Sequence, residues 1–252
     1  MNPTAFKDHF SGPAAAYAAY RPRYPRELAL FLAQISPVCS RAWDCGCGSG
    51  QLSELLAEFF EQVVATDASA RQIAEARPYP RVEYRCAPAE ESGLAAHSTD
   101  LISVAQAVHW FDLDRFYEEV RRVGKPGSVL ALIGYGTMEV EGVQALVHAF
   151  YDGILEPFWP AERRQVETGY RLLDFPFTPV PVPSLQMNAA WDLAALMGYI
   201  GTWSAVQALE REKGPAPFQA FGRALRGAWG DPDTSRRVSW PLFVRAGRLP
   251  LS

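Results

Sequence analysis

Little in this 252-residue chain marks it for a compartment outside the cell, a membrane or a nucleic acid. It has four cysteines, Cys39, Cys45, Cys47 and Cys86, with no C-x-x-C pair among them, so neither a disulfide framework nor a zinc ribbon is expected. Cys45 and Cys47 form a C-x-C with no histidine nearby, a poor zinc site; they read as small residues in a tight loop, and no metal is expected. No apolar run approaches the roughly 18 residues that span a bilayer. The opening MNPTAFKDHF lacks the charged-then-apolar layout of a secretory signal. Positive charge is not in excess: the net charge is −4, which argues against a phosphate-backbone partner. The expectation is a cytoplasmic protein with reduced thiols and no membrane or nucleic-acid partner.

What is present is an ordinary globular composition, 48% hydrophobic and 21% charged. A chain of this length buries about three quarters of its unfolded surface without staples. Residues 1–24 read as an arm rich in small and aromatic residues. From Pro25 the chain alternates. Leu28, Phe31, Leu32 and Ile35 make one helical face. SRAWD (40–44) is a strand, and Leu52, Leu55, Leu56 and Phe59 mark a second helix. QVVATD (62–67), VEYRC (82–86) and DLISVAQ (100–106) are strands, with helices over 69–77 and 112–123 between and after them. GKPGS (124–128) reads as a turn before the strand 129–136. This alternation predicts a parallel sheet covered on both faces. Beyond Gly136 the rhythm changes to helices over 141–175, 191–213 and 216–229, an extended proline-rich stretch at 174–184, and a closing strand at 239–247 that begins or bulges at Pro241.

The stretch WDCGCGSGQ (43–51) places Gly46, Gly48 and Gly50 between a predicted strand and a predicted helix. Glycine there allows a sharp turn and close approach of a ligand. Asp67 ends the next strand, where an acid can accept from both hydroxyls of a ribose. The dinucleotide pattern G-x-G-x-x-G would need a third glycine where Gln51 stands, which disfavours an NAD-dependent dehydrogenase. Plain readings stay open: Asp44 as a helix cap or surface acid, and Asp67 as a turn residue.

Asp44 followed by CGCGSG resembles the D/E-x-G-x-G-x-G motif of class I S-adenosylmethionine (SAM)-dependent methyltransferases. Asp67 matches the family acid on the ribose. APAEE (87–91) resembles the stretch that holds the adenine, with Ala89 and Glu90 at the matching positions. AQAVHWFD (105–112) resembles the small-molecule branch of the type-11 domain, and AAYRPRYP (18–25) and GTWSAV (201–206) resemble a subgroup that includes trans-aconitate methyltransferase-like proteins. The resemblance implies an α/β, doubly wound, mostly parallel seven-stranded sheet with one antiparallel strand. It also implies a single domain: an arm (1–24), a cofactor-binding core (25–136), an inserted, mostly helical cap holding substrate specificity (137–230), and a closing strand (231–252). The cofactor would be SAM, the product S-adenosylhomocysteine, and the partner a small-molecule methyl acceptor.

By the same resemblance Asp44 and Gln106 would steady the charged methionine end of SAM, and Tyr17 and Arg21 would fold over the cofactor, unless Arg21 is part of a solvated arm. His109 would be a general base or a structural donor at the strand's end. Trp110 would line the pocket or fill the core. Tyr170, Arg171 and Trp203 would hold an anionic acceptor or serve packing. A SAM-binding module without turnover is the non-enzyme alternative. A nucleic-acid amino-methyltransferase would carry D/N-P-P-Y/F where this chain has AQAVHW.

Overall fold

In the computed structural model the described residues are 22–160 and 163–251, and the description is confined to them. Five parallel strands form the core: β1 (Arg41–Cys45), β2 (Gln62–Asp67), β3 (Val82–Cys86), β4 (Thr99–Ala105) and β5 (Gly124–Tyr135). They lie in the order β3-β2-β1-β4-β5, so the direction of winding reverses between β1 and β4. In such a sheet the crevice at the carboxyl ends of those two strands is where ligands bind. Both faces are covered, which is why Ala42, Trp43, Val63, Ile102, Val129 and Leu130 are all buried without alternation.

The helices follow local chemistry. In α1 (Arg26–Ile35) the residues Leu28, Ala29 and Leu32 are buried against the sheet. The short α2 (Gln51–Leu56) starts from Gly50, whose φ of 93° only glycine adopts without strain. The next helix, α3 (Ala70–Glu75), is capped by Ser69, and α4 (Leu113–Val123) by Asp112, whose side chain accepts from the Arg115 amide. Phe116, Val120 and Val123 of α4 are buried as its spacing predicts.

The sheet is larger than the seven strands expected. Among the described residues there are nine, with β6 (Glu139–Val140), β7 (Thr178–Val180), β8 (Leu185–Trp191) and β9 (Arg236–Arg248) added. All four lie in the antiparallel part, which centres on β9. One edge of β9 pairs with β5 and then with β6; the other pairs with β7 and β8. The stretch 137–230 is mostly helical, as expected, but it also contributes three strands. After β6 its first third holds short helical pieces, α5 (Gln144–His148), a π-helical segment (Ala149–Ile154), a 3₁₀ turn (Glu156–Phe158) and α6 (Arg163–Glu167), and β7 and β8 follow. The true helices are α7 (Leu193–Gly201), α8 (Ser204–Lys213) and α9 (Ala216–Trp229).

Two boundaries also differ from expectation. β5 begins at Gly124 rather than at 129, because the pairing runs from Thr99–Gly124 to Leu101–Val129 and the four intervening residues bulge. The turn chemistry of GKPGS is real but lies inside a strand, with Gly127 at φ 75°. β9 begins at Arg236 and runs through Pro241. Pro241 faces the gap where the neighbour of β9 changes from β5 to β6, and its carbonyl takes the Gly136 amide at 3.1 Å. A missing N–H is harmless in such a gap. Among the described residues no helix is long and apolar enough to cross a membrane.

Candidate active site

The glycine loop closes on itself. The amides of Gly46 and Cys47 both donate to the Thr66 carbonyl, at 2.8 and 2.9 Å, and Gly50 donates to Cys47 at 3.0 Å. Gly48 donates to Asp67 Oδ2 at 2.9 Å. Four amides of the loop thus have protein partners, which leaves little of the N–H nest that a pyrophosphate requires. Gly46, Gly48 and Gly50 all have positive φ, at 69°, 56° and 93°. Close packing adds to the demand: a Cβ on Gly46 would lie 2.5 Å from Ala107 Cβ, and one on Gly50 would lie 2.3 Å from the Tyr84 hydroxyl.

Two carboxylates flank the loop in different states. Asp67 is part-exposed, and its oxygens accept from the Gly48 amide and, at 2.8 Å, the Ser69 amide. An acid in this position, at the carboxyl end of β2, is placed to accept from a vicinal diol. Asp44 is 1% exposed and accepts from Ser53 Oγ at 2.6 Å and Ser103 Oγ at 3.0 Å. Burial pushes its pKa up to about 6, against the pull of the two serine hydrogen bonds, with a smaller push from the Asp67 charge. Cys45 and Cys47 are held as thiols by burial and by the neighbouring acids. Donors are few and acceptors prevail, which fits a phosphate-free nucleoside with a cationic end.

The wall opposite the loop comes from β3 and β4. Ala89 is buried in the cluster that contains Cys45 and is packed by Ala107 and Phe111. Glu90 accepts from the Asp112 amide at 2.9 Å, which ties the segment after β3 to the start of α4. Gln106 adopts φ 56°, uncommon for a residue other than glycine, and its Nε2 donates to the Tyr135 carbonyl at 3.3 Å. A single 3₁₀ turn over Val108–Trp110 follows and presents His109 and Trp110.

His109 sits between two aromatic rings, with centroids 4.8 Å from Trp110 and 6.1 Å from Tyr170. Its Nδ1 is 3.4 Å from the Tyr170 hydroxyl, a long contact. If Nδ1 carries the proton and donates to that oxygen, Nε2 is the basic nitrogen; the opposite tautomer makes Nε2 a donor. Tyr170 is fully buried at φ 59°, and Gly134 leaves room for its ring.

Sequence reasoning and structure part company over the inserted stretch. Trp203 joins Tyr151 at 5.5 Å, Trp159 at 5.7 Å and Tyr199 at 5.9 Å, not the His109 group directly. Arg171, expected beside an anionic acceptor, is exposed and donates to the Thr168 carbonyl at 3.0 Å. The cation that does join the aromatic group is Arg163, whose Nε donates to the Tyr151 hydroxyl at 2.9 Å. Tyr17 and Arg21 lie outside the described residues; the last part of the arm is described, and there Tyr24 packs edge-on against Tyr135 at 6.4 Å. Ser53 and Ser103, which hold Asp44, were passed over in the sequence. Their signal was a hydroxyl residue among buried apolar ones, in QLSELL and DLISVA.

The pattern of a family described as a methyltransferase domain matches residues 43–132. The chain is 32% identical over 250 residues to a protein of Dictyostelium discoideum named as a methyltransferase, covering 96% of this chain and 95% of that one. It is 34% identical over 169 residues to an uncharacterized methyltransferase of Mycobacterium tuberculosis, covering 63% of this chain and 69% of that one. A solved structure from Anaeromyxobacter dehalogenans, described as a type II methyltransferase, superposes with a TM-score of 0.88 at 50% identity, covering 92% of this chain and 99% of that chain.

Proposed function

Since the chain belongs to the class I SAM-dependent methyltransferases, with SAM as its cofactor, we propose that its acceptor is a small molecule and that the methyl group goes to an oxygen of it, a carboxylate among the candidates. The observation that carries this reading is the way the loop is wired. Its amides are taken up by the protein's own acceptors, and the group at its edge is the Asp67 carboxylate rather than a row of donors, so the site favours a nucleoside without phosphate over NAD.

Within this proposal Asp67 accepts from the ribose hydroxyls, and Ala89 and Glu90 border the adenine. Asp44 and Gln106 face the methionine end; the roles that the family resemblance gives Tyr17 and Arg21 there fall outside the described residues. Transfer from a sulfonium is an in-line displacement, in which the protein chiefly aligns the groups and keeps water out. Alignment alone supplies as much as about 7–11 kcal/mol. His109 stands at the end of β4 on the acceptor side and takes the proton of a hydroxyl acceptor; a carboxylate acceptor needs no base. Trp110, Tyr170 and Trp203 shape the acceptor side, and the stretch 137–230 sets specificity. Aromatic faces there favour a sulfonium by about 0.5–2 kcal/mol. The four thiols are all free, in keeping with a cytoplasmic location.

Thermal shift tests the cofactor and turnover tests the acceptor. SAM and S-adenosylhomocysteine should raise the melting temperature while NAD leaves it unchanged. With SAM present, a panel of small acids, phenols and amines should yield S-adenosylhomocysteine with oxygen acceptors. Transfer only to amines would overturn the oxygen assignment.

A further inference from the structure

The inserted stretch builds a second feature, a cation among aromatic rings, on the side of the His109 turn. Tyr151, Trp159, Tyr199 and Trp203 contact one another edge-on or tilted, and Trp240 joins through Tyr199 at 5.7 Å. One cation enters this aromatic group. The guanidinium of Arg163 lies 5.0 Å from the Trp159 ring centroid and 5.7 Å from that of Tyr151. Its side chain is 24% exposed.

The surroundings of Arg163 do not neutralise it closely. The nearest carboxylate, Glu167, is 3.7 Å from Nε, beyond hydrogen-bond range, and its own side chain is 42% exposed. Glu167 instead accepts from the Tyr151 hydroxyl at 2.7 Å, and this orients the tyrosine oxygen to accept from Arg163 Nε. The two terminal nitrogens of Arg163 make no hydrogen bond among the described residues. Trp240 is fully buried, and its indole N–H, a donor only, likewise has no partner among the described residues. A half-buried planar cation held against two rings, with its terminal nitrogens open, suits a ligand with paired acceptor oxygens.

Placement ties this feature to the transfer site. Helix α6, which begins with Arg163, packs against the His109 turn and against β5. The charge of Arg163 reaches Tyr170, whose hydroxyl lies 3.4 Å from His109.

We infer that Arg163 is a specificity-determining residue, and that it holds a carboxylate on an acceptor whose body is flat and apolar. The inference rests on the methyl-transfer reading and deepens it. The carboxylate is a handle; the oxygen that receives the methyl is a separate group of the same acceptor, on the His109 side. One cation suits a monoanion, whereas a phosphate dianion would want more. The planar fork matches the two oxygens of a carboxylate.

Calorimetry with saturating S-adenosylhomocysteine tests this. The probes are para-hydroxybenzoate and para-hydroxyphenylpropanoate, each against its own carboxamide. The wild type should bind at least one acid about tenfold or more tighter than its amide, the scale of one charge-assisted hydrogen bond. Arg163→Gln should bring that ratio close to one, and Arg163→Lys should keep part of it. Both variants should bind S-adenosylhomocysteine as the wild type does, which also reports folding. A preference that persists in Arg163→Gln, no preference in the wild type, or no binding of either acid overturns the inference. Loss of S-adenosylhomocysteine binding by the wild type itself would instead strike the methyl-transfer reading.

Discussion

Asp44 shows how one residue links burial to ligand charge. Its carboxylate is out of water and held by two serine hydroxyls, and burial pushes its pKa from the ordinary carboxylate range up to about 6. A raised acid pKa means that the folded protein holds a proton that the unfolded chain has released. Stability therefore falls as pH rises from about 4 to about 6, by about 3 kcal/mol at most, and then levels off. Binding runs the other way. A cationic amino group nearby favours the ionised acid, so SAM should bind more tightly as pH climbs through 6. Calorimetry from pH 5 to pH 8 should show affinity at pH 5 weaker than at pH 7 by about tenfold. Asp44→Asn should bind more weakly overall and lose the slope. A wild-type affinity that stays flat across that range would show that Asp44 does not sense the ligand's charge.

At the scale of elements, the turn from β1 into α2 depends on what stands behind it. Gly50 caps α2 at φ 93° with the Tyr84 ring of β3 against it. Gly50→Ala meets two costs: about 1–2 kcal/mol for a left-handed backbone with a side chain, and about 1–3 kcal/mol for the crowded ring. Urea unfolding should show a total loss of about 2–5 kcal/mol. Combining it with Tyr84→Ala should restore the crowding part, so the two changes should couple. Strict additivity would mean that the ring yields freely. That turn was legible in the sequence because its demands are local: glycines, a strand before and a helix after. The same holds for α4 and α9, whose apolar faces repeat every three to four residues. β8 was hidden. LQMNAAW has few β-forming residues and becomes a strand because β9 offers it a full edge, so tertiary context outweighs propensity. Arg163 and its aromatic neighbours were hidden for a related reason. They come from positions between 151 and 240, and no spacing in the chain announces that they meet.

For the whole molecule, β9 decides whether the inserted stretch is a separable unit. Residues 242–248 of β9 pair with β5, the last strand of the parallel core, while residues 236–242 pair with β8. The same strand is thus shared by the core and by the stretch that would hold the acceptor. The apolar packing agrees: Leu28 and Val63 of the core and Leu196 and Trp229 of the inserted stretch belong to one continuous buried cluster. If the stretch were an independent lid, it could melt while the parallel sheet stayed intact. With β9 shared, its loss would strip β5 of its partner along seven residue pairs and expose the buried faces on both sides. The expectation is one cooperative transition. Far-ultraviolet dichroism reports the sheet and helices, and tryptophan fluorescence is weighted to the inserted stretch and β9 through Trp159, Trp191, Trp203, Trp229 and Trp240, with Trp43 and Trp110 in the core. The two should give the same denaturant midpoint, and saturating SAM should shift both equally. An earlier fluorescence transition, unmoved by SAM, would mean that the inserted stretch opens on its own.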